Sequence, residues 1–287
     1  MSEAMIVTAQ PEASEAGARV LMKGGNAVDA GIAAALVQGV VDPQMCGIAG
    51  FGSAQIRKPD GDAVCIDFHG RTPLAAEPSM WVDLLEAETR DGFGFVLKGN
   101  VNDLGYGSIT TPGSLLAYYE AVRDYGSWDW PDICHPSIAV AETGFLVRPH
   151  VHHFWTHGAE HGRVEVTERL AFSRTGREIY LRADGHPKRI GDRVENPDLA
   201  ATLRRIASEG VDIFYQGEIA EQIDADMKAK GGLLRKADLE AYKTVRTTPL
   251  TSLYRGFDIS TCHAPGGGIM LIEMLNILEN FDLAALG

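Results

Sequence analysis

Hydrophobic and polar positions alternate along this chain with two periods, and the switches between them mark its elements. Ala13, Ala16, Gly17, Val20 and Leu21 recur at helical spacing, which predicts an amphipathic helix from Pro11 to Lys23. Gly24-Gly25 stops it, with Lys23 suitably placed in the last turn. Asn26 is a cap for the next helix, AVDAGIAAALVQGV, which ends at Asp42-Pro43. This second stretch is apolar nearly all round and built from small side chains, so it predicts a buried helix made for close packing. The period then drops to two. GFGSAQIRK and AVCIDFHG flank Pro59-Asp60-Gly61, the signature of a β-hairpin. On its second strand Val64, Ile66 and Phe68 share one face, while Cys65, Asp67 and His69 share the other. Two polar groups therefore meet at the strand's end, just ahead of Arg71 and Pro73.

Residues 83–111 are rich in glycine and aromatics and predict loops. A helix follows Pro112-Gly113, with Leu115, Tyr119 and Val122 inward, and a second spans Ile133 to Glu142 and ends at Gly144. His135, before Pro136, reads as a helix-terminus residue. Residues 147–190 mix six histidines with charged segments and are the least legible part. Beyond Asn196-Pro197, ATLRRIASEG and GEIAEQIDADMKAKGG are amphipathic helices, and Lys-Ala-Asp-Leu caps a short helix ending near Tyr242. Strands are expected over Leu250–Tyr254 and Phe257–Cys262, then His263-Ala264-Pro265-Gly-Gly-Gly and an apolar helix from Ile269 to Leu278. No repeat or low-complexity linker divides the 287 residues, which predicts one domain.

Charge narrows the partners. The net formal charge of −13 repels phosphate backbones and anionic lipids, so neither nucleic acid nor membrane is an expected partner. The longest run of small apolar residues, Gly31 to Val41, falls short of the ~20 needed to span a bilayer. The first residues carry no signal-peptide pattern, so a soluble, cytoplasmic protein is expected. Cys46, Cys65, Cys134 and Cys262 are scattered without a CxxC pair, which suits reduced thiols.

Several chemistries fail on context. CGIAGFG follows a helix and opens a strand, the reverse of a dinucleotide-binding loop. APGGGIM opens a helix but lacks the Lys-Ser/Thr of a phosphate loop, so its glycines read as sites of close backbone approach. There is no GxSxG elbow, and Ser53 lies in a strand pattern. His153, His157 and His161 would align on one helix face as metal ligands can, but no HExxH accompanies them. A solvated or partly packed helix face is the simpler reading.

The ordered motifs resemble the large subunit of the γ-glutamyltransferases. KGGNAVDAGIAAALVQGVVDP, CGIAGFG and the IDF hairpin come first; SITTPGSLLAYYEAVRDYG and AVAETGF follow. NPDLAATLRRIASEGVDIFYQGEIAEQI, GGLLRKADLEAYK, TPLTSLYRG and APGGG then complete the family's order. The resemblance implies an α+β fold, a four-layer αββα sandwich of the N-terminal-nucleophile hydrolase type. It implies a precursor that cuts itself to expose a threonine, whose hydroxyl attacks an amide carbonyl with its own α-amine as base. An acyl-enzyme then passes its acyl group to water or an amine, and the resemblance implies that no metal or cofactor is required.

Two departures shape the functional expectation. No threonine of this chain sits in a motif matching the family's nucleophile, so no catalytic residue is assigned here. The threonine is expected on a partner, the small-subunit chain. In the family an arginine that grips the substrate's α-carboxylate follows the IDF strand; here His69 holds that position and Arg71 comes two residues later. On a continuing strand Arg71 would return to the same face ~6.6 Å further on. His69 and Arg71 are thus the candidate substrate-binding residues. A γ-glutamyl donor is expected, with glutaryl or oxamate-like acyl amides, or a non-catalytic scaffold, as alternatives.

Overall fold

The computed structural model describes residues 4–90, 92, 94–159 and 163–286, apart from the side chains of Ala284 and Leu286. Helix and antiparallel strand are mixed along it.

The first two helices form as their patterns require. Helix α1 (Pro11–Met22) buries Ala13, Ala16, Gly17 and Val20 against α2 (Ala27–Val41). Asn26 caps α2 reciprocally. Its side chain accepts from Val28 N at 2.8 Å and Asp29 N at 3.0 Å, while Asp29 accepts from Asn26 N at 2.8 Å. Helix α2 lies between two apolar clusters. Ile32, Ala33 and Leu36 face the first, and Ala34, Val37, Val40 and Val41 the second. A helix with apolar neighbours on both sides needs no polar stripe, which is why this sequence shows none.

The hairpin comprises β1 (Ser53–Arg57) and β2 (Ala63–Asp67), paired Ser53↔Asp67 through Arg57↔Ala63. Gly61 turns at φ 92°, and Lys58 N reaches Asp62 O at 2.7 Å to close the loop. Contacts then split the two strand faces. Ile66 and Phe68 join the first cluster, with Ala54 and Ile56 packed beside them.

The segment expected to be loop contains a small exposed hairpin, β3 (Leu85–Glu88) and β4 (Phe95–Leu97). Next come α3 (Ser114–Tyr125) and α4 (Trp130–Thr143). Helix α4 starts three residues ahead of the expected Ile133, so His135 is not a helix terminus but an exposed residue inside the helix. Trp130 explains the earlier start: its ring is buried and its Nε1 donates to Ile206 O at 3.2 Å.

Residues 145–194 resolve into β5 (Phe145–Leu146), α5 (Pro149–Thr156), α6 (Val166–Ala171), α7 (Arg174–Tyr180) and β6 (Arg193–Val194). They gather around Trp155, which is fully buried and donates from Nε1 to Gln44 Oε1 at 2.9 Å. Helix α5 ends at Thr156, with His157 already extended at ψ 133°. The three-histidine alignment needs the helix to continue, and it does not; His161 itself lies outside the described residues. His153 and His157 rings sit 5.0 Å apart, and no group of three metal-ligating side chains occurs among the described residues.

Four helices follow: α8 (Pro197–Glu209), α9 (Asp212–Tyr215), α10 (Glu218–Ala229) and α11 (Lys236–Ala241). Strand β7 (Val245–Thr247) then joins β2, giving the order β1-β2-β7. Arg246 lies opposite Ile66 and faces α3, where it pairs with Glu120 at 3.4 Å and with Asp124. A separate hairpin, β8 (Leu250–Tyr254) and β9 (Phe257–Thr261), leads into α12 (Gly268–Leu278). Gly268 is required there, because a Cβ would stand 1.9 Å from Cys262 O. No helix among the described residues is long and apolar enough to cross a membrane.

A candidate substrate-binding wall beyond strand β2

The strand's alternation delivers the site. Ile66 and Phe68 are drawn into the core, so Cys65 and Asp67 turn to the opposite face. Backbone pairing extends one step past the strand, with Phe68 N to Gly52 O at 2.9 Å. The chain then leaves β1 and bridges residue 111: Arg71 N meets Thr111 O at 3.1 Å, and Thr111 N meets Arg71 O at 2.8 Å. Arg71 therefore does not continue β2, and the expectation of a straight strand to it is corrected. The approach of α3 diverts the chain. Gly113, just before α3, leaves no room for a Cβ, which would be 2.5 Å from Phe68 O and 2.0 Å from Tyr242 Oη.

Three contacts hold this crossing. Tyr242 Oη donates to His69 O at 2.9 Å. Leu74 N donates to Asp238 Oδ1 at 2.7 Å, while the other Asp238 oxygen accepts Arg235 N at 2.8 Å. Asp238 is buried, so it both caps α11 and anchors the loop after Arg71. Pro73 is buried beside it.

His69 is tied to Asp67. The carboxylate accepts His69 N at 2.9 Å and contacts Nδ1 at 2.6 Å. Burial works against ionisation of Asp67, but the His69 amide, the imidazole and the nearby Arg71 charge outweigh it and lower its pKa. The ring also lies against Phe51, with centroids 6.0 Å apart. The Arg71 side chain is exposed and makes no hydrogen bond or ion pair with a described residue, although its charge reaches Asp67 and Tyr242. Burial pushes the Tyr242 hydroxyl up to about 12, so it stays a donor at neutral pH.

The opposite side of the same sheet face is bounded by the β9–α12 connection. Gln55 Nε2 donates to Ser260 Oγ at 2.6 Å, and the His263 amide reaches the Cys65 sulfur. Ala264-Pro265 and the glycines then carry the chain into α12.

His69 and Arg71 are thus brought to one edge, beside a carboxylate that alternation had already placed there. Tyr242 and Thr111 were not foreseen as parts of this site. Tyr242 is 173 residues from His69 in sequence, and nothing local in AYKT signals its reach.

Residues 13–287 match the gamma-glutamyltranspeptidase family model, and the chain belongs to that family. It is 35% identical over 285 residues to the glutathione hydrolase proenzyme of Pseudomonas sp. (strain A14), covering 99% of this chain and 46% of that protein. It is equally similar, 35% over 289 residues, to the acylase ACY 1 proenzyme of Pseudomonas sp. (strain SE83), covering 100% of this chain and 49% of that protein. The chain therefore spans about half the length of these curated relatives. The crystal structure of Helicobacter pylori gamma-glutamyltranspeptidase superposes with a TM-score of 0.87 at 30% identity, covering all of this chain and 78% of that one. The expected α+β fold, that of the N-terminal-nucleophile hydrolases, holds.

Proposed function

We propose that this chain is the large-subunit portion of a γ-glutamyltransferase-like amidohydrolase or acyltransferase. The threonine that attacks the substrate is supplied by a small-subunit chain. Its hydroxyl adds to the amide carbonyl, its α-amine takes the proton and passes it to the leaving amine, and an acyl ester remains. Water or an amine acceptor then takes the acyl group. This chain's part is to bind and orient the donor.

The observation that carries this reading is the uncommitted Arg71 guanidinium beside the Asp67–His69 pair. An exposed arginine fork with no partner among the described residues suits a ligand carboxylate. Family membership adds that amide-cleaving relatives carry the same fold. A second reading has equal sequence support, since the acylase is as similar as the glutathione hydrolase. His69 at the family's arginine position favours a donor with its carboxylate displaced, such as a glutaryl amide.

A donor panel tests both readings. The full-length protein is assayed with γ-glutamyl, glutaryl, oxamyl and neutral acyl amides. Turnover of a carboxylate-bearing donor, abolished when the amino-terminal threonine of the small subunit is replaced by alanine, is expected. Turnover that survives that replacement would sink the mechanism, and preference for neutral donors would sink the role of Arg71 and His69.

A further inference from the structure

A histidine in place of an arginine changes more than reach, because its charge is conditional. Asp67 contacts Nδ1 of His69 at 2.6 Å and also accepts its backbone N–H. Both contacts fix the ring, so Nε2 is the nitrogen left for a ligand, and it has no partner among the described residues. The side chains of His69 and Asp67 are each 23% exposed, enough for a ligand to reach the ring but not for it to swing freely.

Charge at this edge is balanced by few groups. From β2 comes Asp67, ionised, and Arg71 follows on the crossing segment. From the end of α11 comes Tyr242, and Cys65 lies on the same strand face; burial keeps both protonated, so neither adds charge. Phe51 contributes an uncharged ring. Glu120 on α3 also reaches Tyr242 but is paired with Arg246, so with His69 neutral Asp67 offsets Arg71 within the edge. With His69 protonated, the same edge carries one positive charge.

We propose that the Asp67–His69 pair is a pH-conditional anchor for the acyl donor's carboxylate, with Asp67 as a positioning residue that aims Nε2 at it. This rests on the reading of the edge as a donor-binding wall. Donor affinity then follows the protonation of one imidazole. With the ring protonated two cations face the carboxylate; with it neutral only Arg71 does, still offset by Asp67. An arginine at position 69 would hold its charge throughout.

Glutarate binding to the full-length protein, measured by calorimetry at about pH 5 and about pH 8, tests this, because histidine is the side chain type whose charge ordinarily changes between those values. Binding at least tenfold weaker at the higher pH is expected. His69→Arg should bind equally at both, and His69→Gln should bind weakly at both. Asp67→Asn keeps an acceptor for the His69 amide but loses the charge, and should fall towards His69→Gln at the acidic pH. Equal wild-type affinity at both pH values, no glutarate binding, or an unaltered pH response in His69→Arg would each overturn the proposal. The donor panel judges amide cleavage separately: turnover with pH-indifferent binding rejects the anchor alone. Conditional binding without turnover rejects the enzyme reading alone.

Discussion

At the residue scale, two neighbouring side chains on one short segment have different tasks. Asp67 spends its charge on His69, while Arg71 keeps its fork exposed. Removal of Arg71 should therefore leave the local fold intact, since its backbone, not its side chain, makes the bridge to Thr111. Arg71→Ala in the full-length protein is expected to raise KM for carboxylate-bearing donors by roughly 2–3 kcal/mol, the size of a lost charge-assisted bond. Neutral acyl donors should be little affected. Steady-state kinetics with both donor classes decides, and equal losses for the two would refute a carboxylate contact. The pairing of Asp67 with His69 was legible from alternation alone. Tyr242 was not, because its role is a hydrogen bond to a carbonyl far away in sequence.

At the element scale, one buried carboxylate joins three helices. Asp29 is fully buried at the start of α2, where it completes the cap and accepts from Ser127 N at 2.9 Å, Ser127 Oγ at 2.5 Å and Trp128 N at 3.3 Å. Those donors lie on the turn between α3 and α4. Burial opposes its ionisation, but the donors from Ser127, Asn26 and Trp128 outweigh it and lower the pKa. A depressed carboxyl stabilises the fold fully above its unfolded value, ~3.9, and that contribution is lost as pH falls through the folded value. Asp29→Ala should cost roughly 2–4 kcal/mol near neutral pH by removing a buried carboxylate that holds the Asn26, Ser127 and Trp128 donors together. In urea titrations the gap between wild type and variant should be widest above about pH 4 and shrink below it. A gap that stays constant into acid would show that the charge does not contribute. GGNAVDAG disclosed the cap, but not the second set of donors, which come from almost a hundred residues away.

For the molecule as a whole, the notable feature is an uncovered apolar helix. In α12 Ile269, Met270, Met274 and Ile277 are each more than half exposed, and Met5 and Val7 near the start are more exposed still. Surfaces of this kind are ordinarily covered. The chain spans about half of its curated relatives' length, and the small-subunit chain proposed above is the occupant we propose for α12. Residues 1–287 expressed alone should then self-associate and bind a hydrophobic dye, and Met274→Glu with Ile277→Glu should reduce both. In the full-length protein the same pair of substitutions should instead destabilise the assembly. Sedimentation and dye fluorescence provide the readout; a monomeric, dye-silent chain would show that α12 needs no cover.

The sequence by itself determined the local elements with strong periods: the capped pair α1–α2, the β1–β2 hairpin and the amphipathic helices α8 and α10. Each is written in side-chain spacing and turn chemistry within a few neighbours, so no distant contact is needed to read it. It also determined the family, through ordered motifs, and the polar face that carries Asp67 and His69. The tertiary structure decided the rest. Trp130 moved the start of α4 by docking on α8, and Trp155 organised a stretch with no clear period of its own. The approach of α3 and Tyr242 turned the chain off β2 before Arg71. These outcomes depend on long-range packing against surfaces that local pattern does not encode. For that reason the residues of the candidate site could be named from sequence, but its geometry could not.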